Sequence, residues 1–264
     1  MNGEIVERVR RSTVQVETPG DGLGSGSGVI VGPAATVVTN AHVARSQAAK
    51  VHLWDGRVVD AYVVKKHARR DLAELRIDIP GLPALPMADS DRLRPGHLVV
   101  AVGNPLGFQG AASAGVVRAV GPVQGLGSQP WVQASVRLAP GNSGGPLANA
   151  NGELVGINTM VLSHGGLGLA IPSRAVNEFL VRPSPPRLGV SVRSVKRGLL
   201  LLEVESGAAA EQASLRAGDI LVGADGRRFT SPDALPDVIE RGGAVRLQFL
   251  RGSRDRVREV TVRL

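Results

Sequence analysis

The run GNSGGPL at 141–147 sets a serine among glycines, and a nucleophilic hydroxyl needs that surrounding. A sharply turned backbone exposes the hydroxyl, and adjacent N–H groups can converge on the oxyanion formed when it attacks a carbonyl; Gly141, Gly144 and Gly145 permit such a turn around Ser143. A serine nucleophile also needs a general base. In TNAHVA (39–44), His42 stands among small residues directly after the apolar run TVVT, so its imidazole would sit at a strand end with room for substrate beside it. Asp71, in RRDLAELRI, immediately precedes another apolar run, where a carboxylate could hold the imidazole in one tautomer and stabilise the imidazolium as it forms. Each motif alone has an ordinary explanation: a Gly-rich surface turn, a structural histidine, a strand-end aspartate. Their conjunction, in the order His, Asp, Ser, matches one of the orders in which a catalytic triad occurs. The other histidines have weaker contexts: His52 in a strand pattern, His67 in a basic loop, His97 before a strand and His164 in a Gly-rich loop.

These residues must be positioned by short strands. From about Ser12 to Pro172 the chain reads VQVE, GVIV, TVVTN, VHLW, VVDAYVV, LAELRI, LVVAVG, AGVVRAV, WVQASV, LVGINT and LGLAI, punctuated by Gly, Pro, Asn and Asp. That pattern predicts an all-β barrel or sandwich rather than alternating βα units. SRAVNEFLV (173–181) predicts a terminal helix, with Ser173 as N-cap and Val176, Phe179 and Leu180 on one face. The proline-rich VRPSPPR (181–187) favours a stiff, extended connection, placing the domains at 1–182 and 183–264. The second holds the strand patterns LGVSV, LLLLEV, DILVGAD, AVRLQFL and VREVTVRL, with helical patterns at AAAEQASL and 233–241. Capping by Asp233 would leave Pro236 in the first helical turn, where a proline is tolerated.

Composition narrows the alternatives. The 264 residues contain no cysteine, which excludes disulfides, thiolate metal sites and a cysteine nucleophile. The formal charge of +8 is carried chiefly by arginine and spread along the chain without a basic block. With two Trp, one Tyr and four Phe, base-stacking platforms are scarce, so no nucleic-acid role is expected. Charges, Gly or Pro break every apolar run before the roughly 18 residues a spanning helix needs, so no transmembrane segment is expected. The opening MNGEIVERVRRSTVQVE lacks a secretory h-region and looks like folded protein. The chain as written is expected to be cytoplasmic, or periplasmic or envelope-located if an export signal or anchor is missing.

At this point the chain resembles the HtrA/Deg family of ATP-independent serine proteases. GSGSGVIV, TNAHV, RRDLAELRI, VGNPLGFQGAASAGVVRAVG, APGNSGGPL, GELVGINT and GLGLAIPS resemble family blocks in family order, and LGVSV to AGDILVGADGR resembles its PDZ domain. The resemblance implies a mainly β fold, a chymotrypsin-like double β-barrel of six strands each followed by a small α+β PDZ domain. It makes His42 the base, Asp71 its orienter and Ser143 the nucleophile, with the amides of Gly141 and Ser143 as oxyanion hole. It assigns Arg137, Asn158 and Leu169 to the specificity pocket. It implies no cofactor and no metal, unfolded or misfolded polypeptides as substrates, and a homotrimer, although residues 1–20 lack the aromatics that trimeric relatives pack at that contact. The loop before GSGSGVIV is short, which argues against large cages.

Three departures bear on function. Ser135 stands where the family typically has an acid, and Arg137 near the pocket floor offers acidic P1 residues as an alternative to the small aliphatic ones the resemblance implies. Asn142 replaces the aspartate that pairs with a freed N-terminal amine in digestive relatives, so no zymogen cleavage is expected.

In the second domain, Arg187-Leu188-Gly189-Val190 resembles the family's carboxylate loop. Gly189 would let the backbone turn its amides toward a peptide C-terminus, with Leu188 and Val190 as apolar walls and the strand from Val190 as pairing edge. Leu235 and Ile239, at i, i+4 spacing, would form the opposite wall.

Rival readings remain. Ser143, Glu153 and His164 run in the order of an α/β-hydrolase, but PLANANGELVGINT continues as turn and strand rather than helix. A catalytically weak or inactive peptide-binding regulator of the same fold is the non-enzymatic alternative. GDGLGSGSG (20–28) misses the dinucleotide-loop spacing and reads as a turn into a strand.

Overall fold

The computed structural model describes residues 3–18, 25–32, 35–161, 166–183, 186–229, 234–252 and 256–264. It divides into two compact units, Met1–Pro183 and Ser184–Leu264.

The first unit opens with a helix the strand patterns do not suggest, α1 (Gly3–Arg11), which buries Val9 completely. Glu7 pairs with Arg10 (2.8 Å) and Arg11 (3.2 Å) along its outer face. Six strands follow: β1 (Thr13–Glu17), β2 (Ser25–Val31), β3 (Thr36–Thr39), β4 (Ala48–His52), β5 (Val58–His67) and β6 (Leu72–Arg76). They close into a barrel in the order β1-β2-β3-β6-β5-β4. A second barrel is built from β7 (Leu98–Gly103), β8 (Ala111–Pro122), β9 (Pro130–Ala134), β10 (Pro146–Asn149), β11 (Leu154–Val161) and β12 (Gly168–Pro172), in the order β10-β11-β12-β9-β8-β7. Both barrels are fully antiparallel, and closure leaves neither with a free edge.

Why the barrels meet follows from strand periodicity. Successive side chains on a strand point to opposite faces, and here both faces are buried. Ile30 joins the first barrel's interior with Val14, Val37 and Leu75, whereas its neighbours Val29 and Val31 join a cluster containing Val100, Val102, Leu169 and Ile171 from the second barrel. In β7, Val99 and Ala101 face the second barrel's interior while Val100 and Val102 face the shared layer. Runs such as GVIV and LVVAVG are continuously apolar for that reason. Each fully buried Val, Leu or Ile contributes about 1.5–3 kcal/mol.

A second helix, α2 (Ser173–Val181), closes the unit and adds Val176 and Phe179 to the shared layer. Its N-cap is Pro172, not Ser173; Ser173 is the first helical residue and donates its hydroxyl to Ala88 O at 2.6 Å. Lys65 of β5 caps the other end. Its buried ammonium lies 4.8 Å over the Phe179 ring and donates to the carbonyls of Leu180 and Arg182, where cations are favoured by unpaired carbonyls and the helix dipole.

The second unit contains β13 (Val190–Val195), β14 (Gly198–Val204), α3 (Ala209–Gln212), β15 (Ile220–Ala224), β16 (Arg227–Arg228), α4 (Ala234–Arg241), β17 (Ala244–Leu250) and β18 (Arg258–Arg263). The sheet order is β13-β14-β15-β17-β18, with β16 beside β15. Pro236 occupies the first turn of α4; the Asp233 cap lies outside the described residues. Asp219, 1% exposed, is held by Arg251 through two bonds of 2.7 Å and accepts Arg216 N at 2.9 Å.

Among the described residues no helix is long and apolar enough to cross a membrane.

Candidate active site

The three candidate residues stand at strand ends of the first unit. His42 follows β3, Asp71 precedes β6, and Ser143 precedes β10. β3 and β6 are paired neighbours, Thr39 opposite Ala73, which brings His42 and Asp71 together. Asp71 Oδ2 lies 2.8 Å from His42 Nδ1, and Oδ1 accepts the His42 backbone amide at 3.0 Å. This double hold fixes the ring and leaves Nε2 as its proton-transfer nitrogen. The Asp71 side chain is 21% exposed and that of His42 49%. Asp71 adopts a φ of 53°, a left-handed conformation that aspartate tolerates better than most residues.

The turn carrying Ser143 is built from glycines with defined tasks. Asn142 N donates to Ala139 O at 3.0 Å, closing a turn with Pro140 second and Gly141 third; the φ of 100° at Gly141 belongs to a type II turn, which favours glycine there. Gly144, φ 88°, passes so close to β2 that a Cβ would lie 2.0 Å from Ser27 O. Along this turn peptide groups alternate. Gly141 O and Asn142 N are bonded to Ser27 Oγ and Ala139 O, and Ser143 O and Gly144 N to Ser27 N and Asn158 O. The amides of Gly141, before the first of these groups, and of Ser143, between the two, donate to no group among the described residues. Two free donors one residue apart, beside a serine, are what an oxyanion requires.

Ser143 Oγ donates to Thr159 O at 2.8 Å, and no hydrogen bond to His42 occurs among the described residues. Asn40 ties the two halves together: its Nδ2 donates to Asp71 O (2.9 Å) and to Thr159 Oγ1 (3.1 Å). Its carbonyl accepts the amides of Val43 and Ala44, so it also fixes the turn that bears His42. Ser27, Asn40 and Thr159 stand inside the sequence motifs without a chemical signature of their own; they act largely through backbone atoms of distant segments, a signal that residue type does not carry.

The three residues assigned to the specificity pocket differ in exposure. Leu169 is fully buried in the layer between the barrels. Asn158 is also fully buried, behind the nucleophile turn, where its Nδ2 donates to Pro146 O (2.8 Å). Arg137 is exposed, and its amide is fixed to Ser113 Oγ at 2.8 Å. His164 of the rival triad lies outside the described residues, and Glu153 is bonded to Asn149 (2.8 Å). His/Cys/Asp/Glu groups able to hold a metal are absent among the described residues.

In the second unit β13 is an edge strand, paired among the described residues only with β14. Gly189 has φ 72°, and a Cβ there would lie 2.1 Å from Ala208 Cβ. The carbonyls of Leu188 and Gly189 are used inward, by Ala210 N (2.9 Å) and Glu205 N (2.8 Å). Leu188 and Leu235, expected as groove walls, are core residues at 2% exposure each; Val190 and Ile239 are the half-buried members of the set. Arg187 pairs with Glu205 at 3.3 Å, both exposed.

Comparison with known proteins agrees with this geometry. The trypsin-like peptidase domain family matches residues 26–157, half the chain, and the PDZ domain family matches 186–264. These features define a trypsin-like serine protease fold joined to a PDZ domain. The chain belongs to the HtrA/Deg family of serine proteases. It is 36% identical to the periplasmic pH-dependent serine endoprotease DegQ of Escherichia coli, over 94% of this chain and 61% of that protein. It is 32% identical to the putative serine protease HhoA of Synechocystis, over 88% and 68%. Several curated relatives therefore extend well beyond the matched span. Among solved structures, the HtrA-type protease AlgW with tripeptide superposes with a TM-score of 0.65 at 28% identity, covering 98% of this chain and 95% of that one.

Proposed function

We propose that the chain is an ATP-independent serine endopeptidase that cleaves unfolded or misfolded polypeptides, with His42, Asp71 and Ser143 as its triad. The observation that carries this reading is the doubly held Asp71–His42 pair on one barrel facing a serine turn on the other with two undonated amides. In the reaction, Ser143 Oγ leaves Thr159 O by a χ1 change, a step between staggered wells, and gives its proton to His42 Nε2 as it attacks the scissile carbonyl. The amides of Gly141 and Ser143 receive the oxyanion. Collapse expels the amine, which takes the proton from His42 and leaves an acyl-enzyme; water, deprotonated by His42, then releases the acid.

The second unit binds peptide C-termini along the free edge of β13, with the amides at Leu188–Val190 receiving the carboxylate. AlgW, named with a decapeptide and a tripeptide, supports a peptide-binding role. Arg187 would exchange its exposed pair with Glu205, worth about 0–1 kcal/mol, for the ligand's carboxylate.

A fluorophosphonate probe tests the reading. It should label the wild-type protein and neither Ser143→Ala nor His42→Ala. An unlabelled, folded wild type would favour the inactive peptide-binding regulator.

A further inference from the structure

We propose that Ser27 is a positioning residue that holds the oxyanion hole open from the opposite barrel. The inference rests on the reading of Ser143 as nucleophile and names the group that keeps its turn in working form.

Ser27 lies on β2 and is fully buried. All three of its polar atoms are engaged, two of them by the turn that carries the nucleophile. Oγ donates to Gly141 O at 2.6 Å and accepts Asn104 N at 2.8 Å. Its amide donates to Ser143 O at 2.7 Å. Its carbonyl accepts Thr39 Oγ1 at 2.6 Å, which anchors Ser27 to the strand leading into His42. A single residue thereby fixes one peptide group on each side of the Ser143 amide. The Gly141–Asn142 peptide is pinned at its carbonyl by Ser27 Oγ and at its N–H by Ala139 O, and the next pinned group is held at its carbonyl by Ser27 N and at its N–H by Asn158 O.

The hydroxyl matters most because its partner is glycine. At Gly141, with φ 100°, the chain has rotational freedom that other residues lack. Without the Oγ donor, Gly141 O becomes a half-buried acceptor with no protein partner, and such a group reorients to find one. Turning that carbonyl rotates the peptide lying between the two oxyanion donors and moves them out of convergence. The surroundings fit serine closely: a Cβ on Gly103 would stand 3.0 Å from Ser27 Oγ, and one on Gly145 3.1 Å from Ser27 Cβ. Ser27 touches no substrate atom in this role; it acts through Gly141 and Ser143.

The test compares full-length wild type, Ser27→Ala and Ser27→Cys on one peptide substrate, with inhibition by a peptide boronate that forms a tetrahedral adduct at the nucleophile. Ser27→Ala should lower kcat by about 10–100-fold with KM within about twofold, since misaimed oxyanion donors weaken transition-state rather than ground-state binding. Boronate affinity should fall in step with kcat/KM. Ser27→Cys keeps a weak donor and should fall between the two, with roughly a three- to thirtyfold loss of kcat; it carries the same test should Ser27→Ala not fold. Wild-type kcat in either folded variant, or a loss confined to KM, would overturn the role of Ser27. Failure of the wild type itself to cleave would instead overturn the protease reading.

Discussion

Asp71 holds His42 at two points, its Oδ1 accepting the backbone amide at 3.0 Å and its Oδ2 lying 2.8 Å from the ring Nδ1. The arrangement uses both carboxylate oxygens as acceptors, which an amide side chain cannot reproduce. In Asp71→Asn the carboxamide oxygen can still accept the His42 amide, but Nδ2 then donates toward Nδ1 and forces the proton onto Nε2. The left-handed φ of 53° is kept, because asparagine tolerates it as well. The substitution should therefore lower kcat by about 10⁴-fold with the fold unchanged, as read by peptide hydrolysis and circular dichroism. A loss under tenfold would mean that the pair does not set the tautomer.

Leu169 tests the placement of the pocket. It is fully buried between the barrels, so Leu169→Ala should cost about 2–5 kcal/mol of stability, the range for truncating a core leucine. Cleavage-site preference on a denatured proteome should stay the same. A changed P1 preference with an unchanged thermal midpoint would place Leu169 in the specificity pocket.

Much of the site is legible in the sequence because its chemistry sits in recognisable side chains. His42 and Asp71 each adjoin a strand pattern, and the glycines around Ser143 mark its turn. The supporting residues are less legible. Ser27, Asn40 and Thr159 are ordinary polar residues whose importance arises from backbone atoms far away in the chain. The role of Leu169 is less legible because LGLAI is apolar on both faces, and period alone does not say which face meets a pocket, a barrel interior or the neighbouring barrel. The helix α1 is obscured by its β-branched Ile5, Val6 and Val9, which lower helix propensity; packing of Val9 into the shared layer decides the matter. β10 hides within PLAN, where it follows the nucleophile turn directly.

Acid should loosen α2. Burial opposes ionisation of Glu178, but hydrogen bonds from Arg70 (3.2 Å) and Arg174 (3.2 Å) outweigh it and hold the carboxyl below its ordinary value of 4.5. A depressed carboxyl contributes its full stabilisation above the unfolded value and loses it as pH falls through the folded one. Glu178→Gln should thus cost about 0.5–1 kcal/mol at pH 7, and the difference from wild type should shrink steadily below pH 4.5. Denaturant melts of both proteins across that range check this; a gap that widens on acidification would reverse the sign.

For the PDZ unit, full-length Ser143→Ala should bind peptides that end in a free carboxylate after an apolar residue, and amidated copies should lose most of that affinity, because the converging amides would have no anion to receive. Calorimetry decides between them. Equal binding would exclude carboxylate capture at Leu188–Val190.

The central claim is that one hydroxyl, on Ser143, performs the cleavage. The most direct measurement is degradation of unfolded casein by the full-length protein and by Ser143→Ala, with peptide binding measured on the same samples. Wild type should fragment casein without ATP and the variant should not, with the same peptide affinity in both. Turnover that persists in folded Ser143→Ala would contradict it.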